Sequence, residues 1–236
     1  MGRHRVQRRK PENIITLVTD QTIAKQVGIT TINTKVGSVY WGDGDVEVLI
    51  NNIEKLHDYI AGQSYQIRLD EAKTISRLVC DNSNITNISN LDILESLNSI
   101  IISNNPISGD LIINSSVLSS IITFSCPNLT SIVIPNASSL ITVTSGDNII
   151  SSFDTNLHIN LVIFRFVNCN FSTIDLSLNT KLTSVWLYGN SLINGIDFST
   201  NSLLINVQVF TNSMTAAGSN LTLSSLITSS QQMQEY

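Results

Sequence analysis

The 236-residue chain is short of charged residues, histidines and long apolar runs. Only 13% of its residues are charged and 42% are hydrophobic, whereas intrinsic disorder requires the opposite balance. The net charge of -5 excludes a general attraction to nucleic acid. No segment approaches the roughly 18 consecutive apolar residues of a membrane-spanning helix, so no membrane insertion is expected. We therefore predict a folded chain with a sizeable core.

Histidines and cysteines are also scarce, which limits the chemistry that the chain can perform. They are scattered at His4, His57 and His158, and at Cys80, Cys126 and Cys169. No Ser-His-Asp order, HExxH sequence, phosphate-binding loop or GxGxxG sequence is present. The cysteines form no CxxC pair, which argues against a disulfide framework and a zinc site. We predict a non-enzymatic protein with no catalytic residue, cofactor or metal.

What the sequence has in abundance is a repeat of 21 or 22 residues. The segment LTSVWLYGNSL at 182–192 has apolar residues at positions 1, 4, 6 and 11 and asparagine at position 9. When asparagine or a small residue is allowed at position 9, seven segments match, and they begin at Ile75, Leu97, Leu118, Leu140, Leu161, Leu182 and Leu204. The weakest copy is LSSIITFSCPN at 118–128, where Thr123 and Asn128 take apolar positions. A constant period predicts a solenoid, in which each unit buries its apolar face against its neighbours.

This pattern resembles the leucine-rich repeat, LxxLxLxxNxL, over roughly residues 75–214. The segments TIDLSLNTKL at 173–182 and GIDFSTNSLL at 195–204 look like short repeats of bacterial surface proteins and of phages that infect such hosts. The resemblance implies a parallel sheet on one face and short strands or irregular turns on the other. The predicted fold class is mainly β: a leucine-rich-repeat solenoid of about seven repeats, capped by a small N-terminal β-sandwich-like domain.

Position 9 has a role that follows from the resemblance. Its occupants are Ser83, Asn105, Cys126, Asn148, Cys169, Asn190 and Asn212. In leucine-rich repeats, this side chain bonds the backbone of the turn inside the solenoid. An unpaired backbone group there costs about 1 to 3 kcal/mol. We therefore interpret Cys126 and Cys169 as turn-bonding residues and place Cys80 in the core at position 6.

Residues 14–74 lack the repeat and contain short strand-like segments. Trp41-Gly42-Asp43-Gly44, His57-Asp58-Tyr59 and Tyr65-Gln66-Ile67 resemble the WGDG, HxY and GxYxI motifs of PKD-type β-sandwich domains. The segment NNIEKLHDY at 51–59 departs from that pattern and is expected to be helical. Asp43 and Asp45 have two interpretations, a calcium site or, as we favour, aspartates that hold their own turn.

We divide the chain into four parts: a basic N-terminal arm at 1–13, a PKD-like domain at 14–74, the solenoid at 75–218 and a C-terminal cap or tail at 219–236. Two alternatives remain for the last part. The C-terminal end of the solenoid is incompletely capped and serves as a contact surface, or Leu221, Leu223 and Leu226 fold in to close it.

The positions between the buried ones predict a binding surface. Positions 5 and 7 point away from the core, because side chains alternate along a strand. The predicted partner-binding residues are Ile101, Ile122, Phe124, Arg165, Trp186, Tyr188, Gln208 and Phe210. A contiguous outward apolar stripe of this kind favours a partner surface. The alternative is that aromatic residues are there only because they suit strands.

The arm supports a hypothesis about location. Arg3, Arg5, Arg8, Arg9 and Lys10 are the predicted anchoring residues, and no apolar run follows them as in a secretory signal. We expect a phage virion component, such as a capsid decoration, fibre or tail-associated module, whose partners are capsid, portal or tail proteins. Nucleic acid is expected only through the arm. The alternative is a bacterial surface or secreted module that binds a host protein or glycan, and an intracellular scaffold ranks third.

Overall fold

The computed structural model describes residues 13–21, 26–135 and 138–232. The architecture is mainly β, with one α-helix in that part of the chain. In chain order the elements are β1 (Ile15–Gln21), β2 (Gln26–Asn33), β3 (Ser38–Tyr40), β4 (Val46–Val48), β5 (Lys55–Asp58), β6 (Gln63–Leu69), β7 (Ile75–Val79), β8 (Ile85–Ser89), β9 (Ser99–Ile101), β10 (Gly109–Ile112), β11 (Ser120–Phe124), β12 (Leu129–Val133), β13 (Thr142–Gly146), β14 (Ile163–Val167), β15 (Ser184–Trp186), β16 (Asn206–Gln208) and α1 (Ala216–Gln232).

The repeat builds a parallel sheet with one strand from each copy. Its strands lie in the order β7-β9-β11-β13-β14-β15-β16, and every neighbouring pair is parallel. Position 4 of each copy lies opposite position 4 of the next, as in Phe164 opposite Val185 and Val185 opposite Val207. The predicted fold class, a mainly β leucine-rich-repeat-like solenoid, is therefore confirmed.

The core lies behind this sheet, because positions 1, 4, 6 and 11 all point inward. Leu182, Val185, Leu187 and Leu192 are fully buried. In the two preceding repeats, four phenylalanines fill the same space, and the ring centroids of contacting pairs lie 4.8 to 5.9 Å apart. They are Phe153, Phe164, Phe166 and Phe171. Tilted aromatic packing of this kind contributes beyond the buried area itself.

The opposite face of the solenoid consists of short strands and then irregular turns, as the 21-to-22-residue repeat predicts. Strands β10 and β12 pair in parallel, while β8 joins an N-terminal sheet. Among the described residues of 75–214, the helical segment is a single 3-10 turn at Leu91–Ile93. A full α-helix does not fit between successive strands at this spacing.

The N-terminal strands continue the solenoid instead of standing apart from it. One sheet has the order β4-β3-β6-β1-β8, and the other sheet continues from β7 through β2 to β5. Strand β2 pairs antiparallel with β7 and so covers the first edge of the parallel sheet. A covered edge cannot recruit another chain.

The prediction of a helix at 51–59 is wrong. The segment contains the edge strand β5, which pairs antiparallel with β2. Lys55 and His57 are half-buried and alternate with the exposed Leu56 and Asp58. That period of two is the pattern of a strand. Its polar inward side chains concealed the alternation in the sequence.

Helix α1 closes part of the C-terminal end, and neither sequence alternative describes it fully. Thr222 and Ser225 are buried against the turn at 193–196, and Thr222 Oγ1 accepts a hydrogen bond from the N–H of Ile196 (2.9 Å). Leu221 and Leu223 are exposed, while Leu226 is partly buried. The helix therefore docks through its small polar side chains and leaves apolar ones outside.

Candidate functional site

Each repeat leaves its parallel strand through a residue in the left-handed backbone conformation at position 8. The φ angle lies between 50° and 69° at Asn82, Asn104, Ser125, Asp147, Asn168, Gly189 and Thr211. Glycine, asparagine and aspartate adopt this conformation at low cost, which explains five of the seven positions. The sequence analysis missed this column, although its composition was a usable signal.

Position 9 follows and bonds the turn, as predicted. The Nδ2 of Asn190 donates to the carbonyls of Phe166 (2.7 Å) and Leu187 (3.0 Å). Its Oδ1 accepts the N–H of Phe171 (3.1 Å), so one side chain ties two repeats together. Asn212 donates to the carbonyl of Leu187 in the same way (2.9 Å). The interpretation of position 9 is confirmed.

The cysteines belong to this structural framework. The thiol of Cys126 donates to the carbonyl of Ile102 (3.2 Å), and that of Cys169 donates to the carbonyl of Val167 (3.3 Å). Burial raises the pKa of the Cys80 and Cys126 thiols and raises the pKa of Cys169 to about 12. These thiols are therefore protonated at neutral pH and are poor nucleophiles.

A second column of buried polar side chains lies on the opposite edge, three residues before position 1. Its members are Ser115, His158, Asn179 and Asn201. The side-chain amide of Asn179 donates to the carbonyl of His158 (2.9 Å), and that of Asn201 donates to the carbonyl of Asn179 (3.0 Å). The sequence analysis missed this column, although the asparagine shared by TIDLSLNTKL and GIDFSTNSLL marked it. His158 is thereby part of the core.

The predicted partner-binding residues lie on the outer face of the parallel sheet. Ile101 lies opposite Ile122, Arg165 opposite Trp186, and Trp186 opposite Gln208. Val79 pairs with Ile101, and Thr144 pairs with both Ile122 and Arg165, so position 5 forms one continuous column across all seven strands. The structure therefore brings the predicted residues onto one face, while their role in binding stays a prediction.

Two stacks cover the C-terminal part of this face, and we call their four residues the aromatic ridge: Arg165, Trp186, Tyr188 and Phe210. The guanidinium carbon of Arg165 lies 3.9 Å from the centroid of the Trp186 ring. The rings of Tyr188 and Phe210 are parallel within 6°, with centroids 4.6 Å apart. Cation-π and offset aromatic stacks of this kind fix the orientation of long side chains.

The large side chains on the outer face lie flat across residues of neighbouring strands. A tryptophan at an outward position is tolerated because its neighbours partly cover it. Phe124 lies over Gly146, where an added Cβ would be 2.6 Å from the Phe124 ring. Ser184 is buried although it points outward, because Arg165 reaches it with Nη2 (3.3 Å). Trp186 and Tyr188 are half-buried, but Phe210 is 59% exposed. The ridge residues therefore cover one another in part, and Phe210 is the most solvent-exposed of the four.

The ridge carries polar groups without partners. Among the described residues, no carboxylate forms an ion pair with Arg165. The Nε of Arg165 and the indole Nε1 of Trp186 are buried and have no hydrogen-bond partner in the described part of the chain. A buried unpaired donor is unfavourable by about 1 to 3 kcal/mol.

The arm residues Arg3, Arg5, Arg8, Arg9 and Lys10 lie outside the described residues. Their anchoring role therefore rests on the sequence. Within the described residues, we find no helix that combines the length and the apolar character needed to cross a membrane.

A separate group of polar side chains meets at the N-terminal end. His57 Nε2 lies 2.6 Å from Asp43 Oδ2, and ligand atoms of Asp43, Asp45 and His57 all lie within 4.8 Å of one another. Burial raises the pKa of Asp43, but hydrogen bonds from His57 and from the N–H of Asp45 lower it more, so the net pKa lies below its usual range. The favoured interpretation, a turn aspartate, agrees with the Asp45 N–H to Asp43 Oδ1 bond (3.1 Å). The sequence did not show that His57 joins it.

No protein-family model and no curated protein matches the chain. Among solved structures, it is similar to an internalin (InlF) from Listeria monocytogenes, with 18% identity, a TM-score of 0.37 and coverage of 60% of this chain and 56% of that one. It is also similar to the functional domain of InlJ from Listeria monocytogenes, which includes a cysteine ladder, with 14% identity, a TM-score of 0.27 and coverage of 64% and 56%. The chain thus spans little more than half of each structure. Similarity at this level carries no inference about what the chain binds.

Proposed function

We propose that the protein is a non-enzymatic binding protein, and that another protein docks on the outer face of β14, β15 and β16 through the aromatic ridge. The observation that carries this proposal is the pair of adjacent stacks: Arg165, which forms no ion pair among the described residues, lies on Trp186, and an exposed Phe210 extends the apolar surface. Tryptophan, tyrosine and arginine are the residues that most often anchor protein interfaces.

The ridge defines the chemistry of the partner. A carboxylate or carbonyl oxygen of the partner accepts from the guanidinium group of Arg165, which forms no ion pair among the described residues. An apolar side chain of the partner covers Phe210. The stacks also reduce the entropy lost on binding, since Arg165 and Tyr188 are already held in place.

The finer proposal concerns where this binding occurs. We place the protein in a phage virion, where the basic arm binds an acidic groove of a capsid, portal or tail protein and the solenoid presents the ridge. Support comes from the arm, which has five basic residues and no acidic residue before Glu12 in a chain that is acidic overall. Arginine binds carboxylates in a bidentate manner and so suits such a groove. The alternative is a bacterial surface module that binds a protein or glycan.

Single substitutions on the ridge test the binding surface. Trp186→Ala and Phe210→Ala should weaken binding by about tenfold or more, since each removes an anchor of roughly 2 kcal/mol. The thermal midpoint should change little, because both side chains lie outside the core. Leu178→Ala is the matched control, as it removes an apolar side chain that is 54% exposed and lies outside the parallel sheet.

The measurement is quantitative affinity capture from extracts of the source organism, with each purified variant as bait. A protein retained by the wild type and by Leu178→Ala, but lost from both ridge variants, supports the proposal. Equal recovery with all four baits places the contact elsewhere and refutes it.

The virion proposal has its own experiment. Deletion of residues 2–10 should leave a folded protein that no longer incorporates into particles. Incorporation at normal occupancy would refute the anchoring role of the arm. Recovery of the full chain only in the cell-envelope fraction would instead favour the surface-module alternative.

A further inference from the structure

We propose that Asp43, Asp45 and His57 form a binding site for a divalent transition-metal ion, for which zinc is the probe. The site lies at the N-terminal end of the molecule, away from the aromatic ridge, and does not depend on the function proposed above. It combines one imidazole nitrogen with two carboxylate oxygens, and all three ligand atoms lie within 4.8 Å of one another.

The spacing suits a small metal ion. Zinc binds histidine nitrogen and carboxylate oxygen at about 2.0 to 2.2 Å, so two ligands at a tetrahedral ion lie about 3.4 Å apart. His57 Nε2 and Asp43 Oδ2 are already closer than this, at 2.6 Å, and a carboxylate oxygen of Asp45 lies within 4.8 Å of the ligand atoms of both residues. An ion would separate the first pair slightly and replace their direct hydrogen bond.

The histidine is held in the orientation that the site requires. Its ring stacks on Trp41 with an interplanar angle of 8° and a centroid distance of 4.7 Å, and it makes a T-shaped contact with the Tyr59 ring at 71° and 4.7 Å. Trp41 is itself buried, and its carbonyl accepts a hydrogen bond from the Tyr59 hydroxyl (2.6 Å). A pre-oriented ligand loses little entropy when the metal binds.

The local charge also favours a cation. Among the described residues, neither Asp43 nor Asp45 forms an ion pair with a lysine or arginine. The nearest described lysine on the same strand as His57 is Lys55, which is paired with Glu47 (3.3 Å). Two carboxylates therefore face a single histidine.

The donor set distinguishes between metals. Imidazole suits zinc and its first-row neighbours, whereas calcium takes six to eight oxygen ligands and does not favour nitrogen. The ligands that meet here among the described residues are two aspartates and a histidine, a set that fits zinc better than the calcium interpretation of the motif. Three protein ligands leave at least one coordination position for water or for a ligand from another molecule.

The topology gives the bound ion a mechanical consequence. Asp43 and Asp45 lie in the hairpin loop between β3 and β4, while His57 lies on β5 in the other sheet. The metal would connect the two sheets at their outer edge. Metal binding should therefore raise the stability of the N-terminal region by an amount that grows with the logarithm of the free metal concentration once this exceeds the Kd.

The experiment titrates zinc chloride into the untagged, chelator-treated full chain and measures heat by isothermal calorimetry. Binding at one ion per chain is expected, and the thermal midpoint should rise with zinc concentration. Cobalt provides a second readout, since tetrahedral nitrogen and oxygen coordination gives a visible absorption band. His57→Gln and Asp45→Asn should each lower the affinity by at least about tenfold.

Asp110→Asn is the control, because Asp110 is an exposed aspartate on the solenoid that bonds only Thr130 and Ser131 among the described residues. It should bind zinc like the wild type. Asp45→Asn keeps the proposal testable if His57→Gln fails to fold, since no described hydrogen bond depends on the Asp45 carboxylate. Absence of one-to-one zinc binding, unchanged affinity in Asp45→Asn, or binding of calcium but not zinc would each overturn the proposal.

Discussion

The residues at position 8, which all have a left-handed backbone conformation, offer a way to stabilise the protein by substitution without adding a new contact. Five of the seven residues are asparagine, aspartate or glycine, but Ser125 and Thr211 hold φ angles of 51° and 55° with side chains that disfavour them. The left-handed conformation costs an ordinary residue about 1 to 2 kcal/mol, and asparagine less. The penalty is largest for a β-branched residue such as threonine.

Ser125→Asn and Thr211→Asn should therefore each raise the free energy of unfolding by about 0.5 to 1 kcal/mol. Thr211→Gly should gain less than Thr211→Asn, because glycine loses about 0.5 to 1 kcal/mol more backbone entropy on folding. The Thr211 side chain is exposed, so its effect is confined to the backbone. The double variant should be additive, since the two sites lie four repeats apart.

Urea unfolding followed by circular dichroism measures these changes, and the thermal midpoint should rise by roughly 2 to 4 °C for each kcal/mol in a chain of this size. Ser213→Asn is the control, because Ser213 is also exposed but is not among the residues with positive φ. Ser125→Asn is the decisive variant, as it lies in a central repeat where fraying does not mask the effect. Unchanged or lower stability in both Asn variants would refute the reasoning from backbone conformation.

Three further predictions address the core, the cap and the N-terminal turn. Leu187→Ala should lower the free energy of unfolding by about 2 to 5 kcal/mol, because Leu187 is fully buried. Leu178→Ala, the same change at an exposed site, should lower it by about 0.5 kcal/mol or less. Equal losses in urea unfolding would mean that the assignment of inward and outward positions in the repeat is wrong. Gly218→Ala places a Cβ 2.6 Å from the Ile193 carbonyl, so it should displace α1 and speed amide hydrogen exchange at 193–196. Unchanged exchange there would contradict the packing of α1 against this turn. The pKa of Asp43 lies below its ordinary 3.8, so the ionised carboxylate stabilises the fold above that pH and loses this contribution as the pH falls through the folded pKa. The free energies of unfolding of Asp43→Asn and wild type should therefore converge in acid. Parallel dependence of the two free energies on pH would exclude the linkage.

The repeat, its register and the buried position 9 were predictable, because each rests on a period that recurs in every copy. A one-residue shift would have sent Leu187 outward and Trp186 into the core, which the repeated spacing excludes. The role of Asn190 in bonding the turn could be predicted, because a buried asparagine needs hydrogen-bond partners and the carbonyls of the turn are the nearest acceptors.

Other features depend on contacts that no local pattern encodes. The flat orientation of Phe124 exists because Gly146 on the next strand has no side chain in its way. The meeting of His57 with Asp43, 14 residues apart, follows from how two sheets pack. The strand β5 was missed because its inward side chains are polar, so that hydrophobic alternation was absent.

The two ends of the parallel sheet differ, and this asymmetry bears on where a partner docks. At the first edge, β2 satisfies β7 through antiparallel pairing. At the last edge, β16 pairs only with β15 among the described strands, whereas within the sheet Leu187 N–H donates to the Gln208 carbonyl (2.7 Å) and Gly189 N–H to the Phe210 carbonyl (3.2 Å). The equivalent donors of the last repeat belong to Val209 and Thr211, beyond which no further strand of the described part of the chain pairs. The exposed Phe210 lies beside these donors. If the proposed partner covers the aromatic ridge, it also lies beside this backbone edge, so the proposal predicts side-chain anchors and main-chain hydrogen bonds to the same partner.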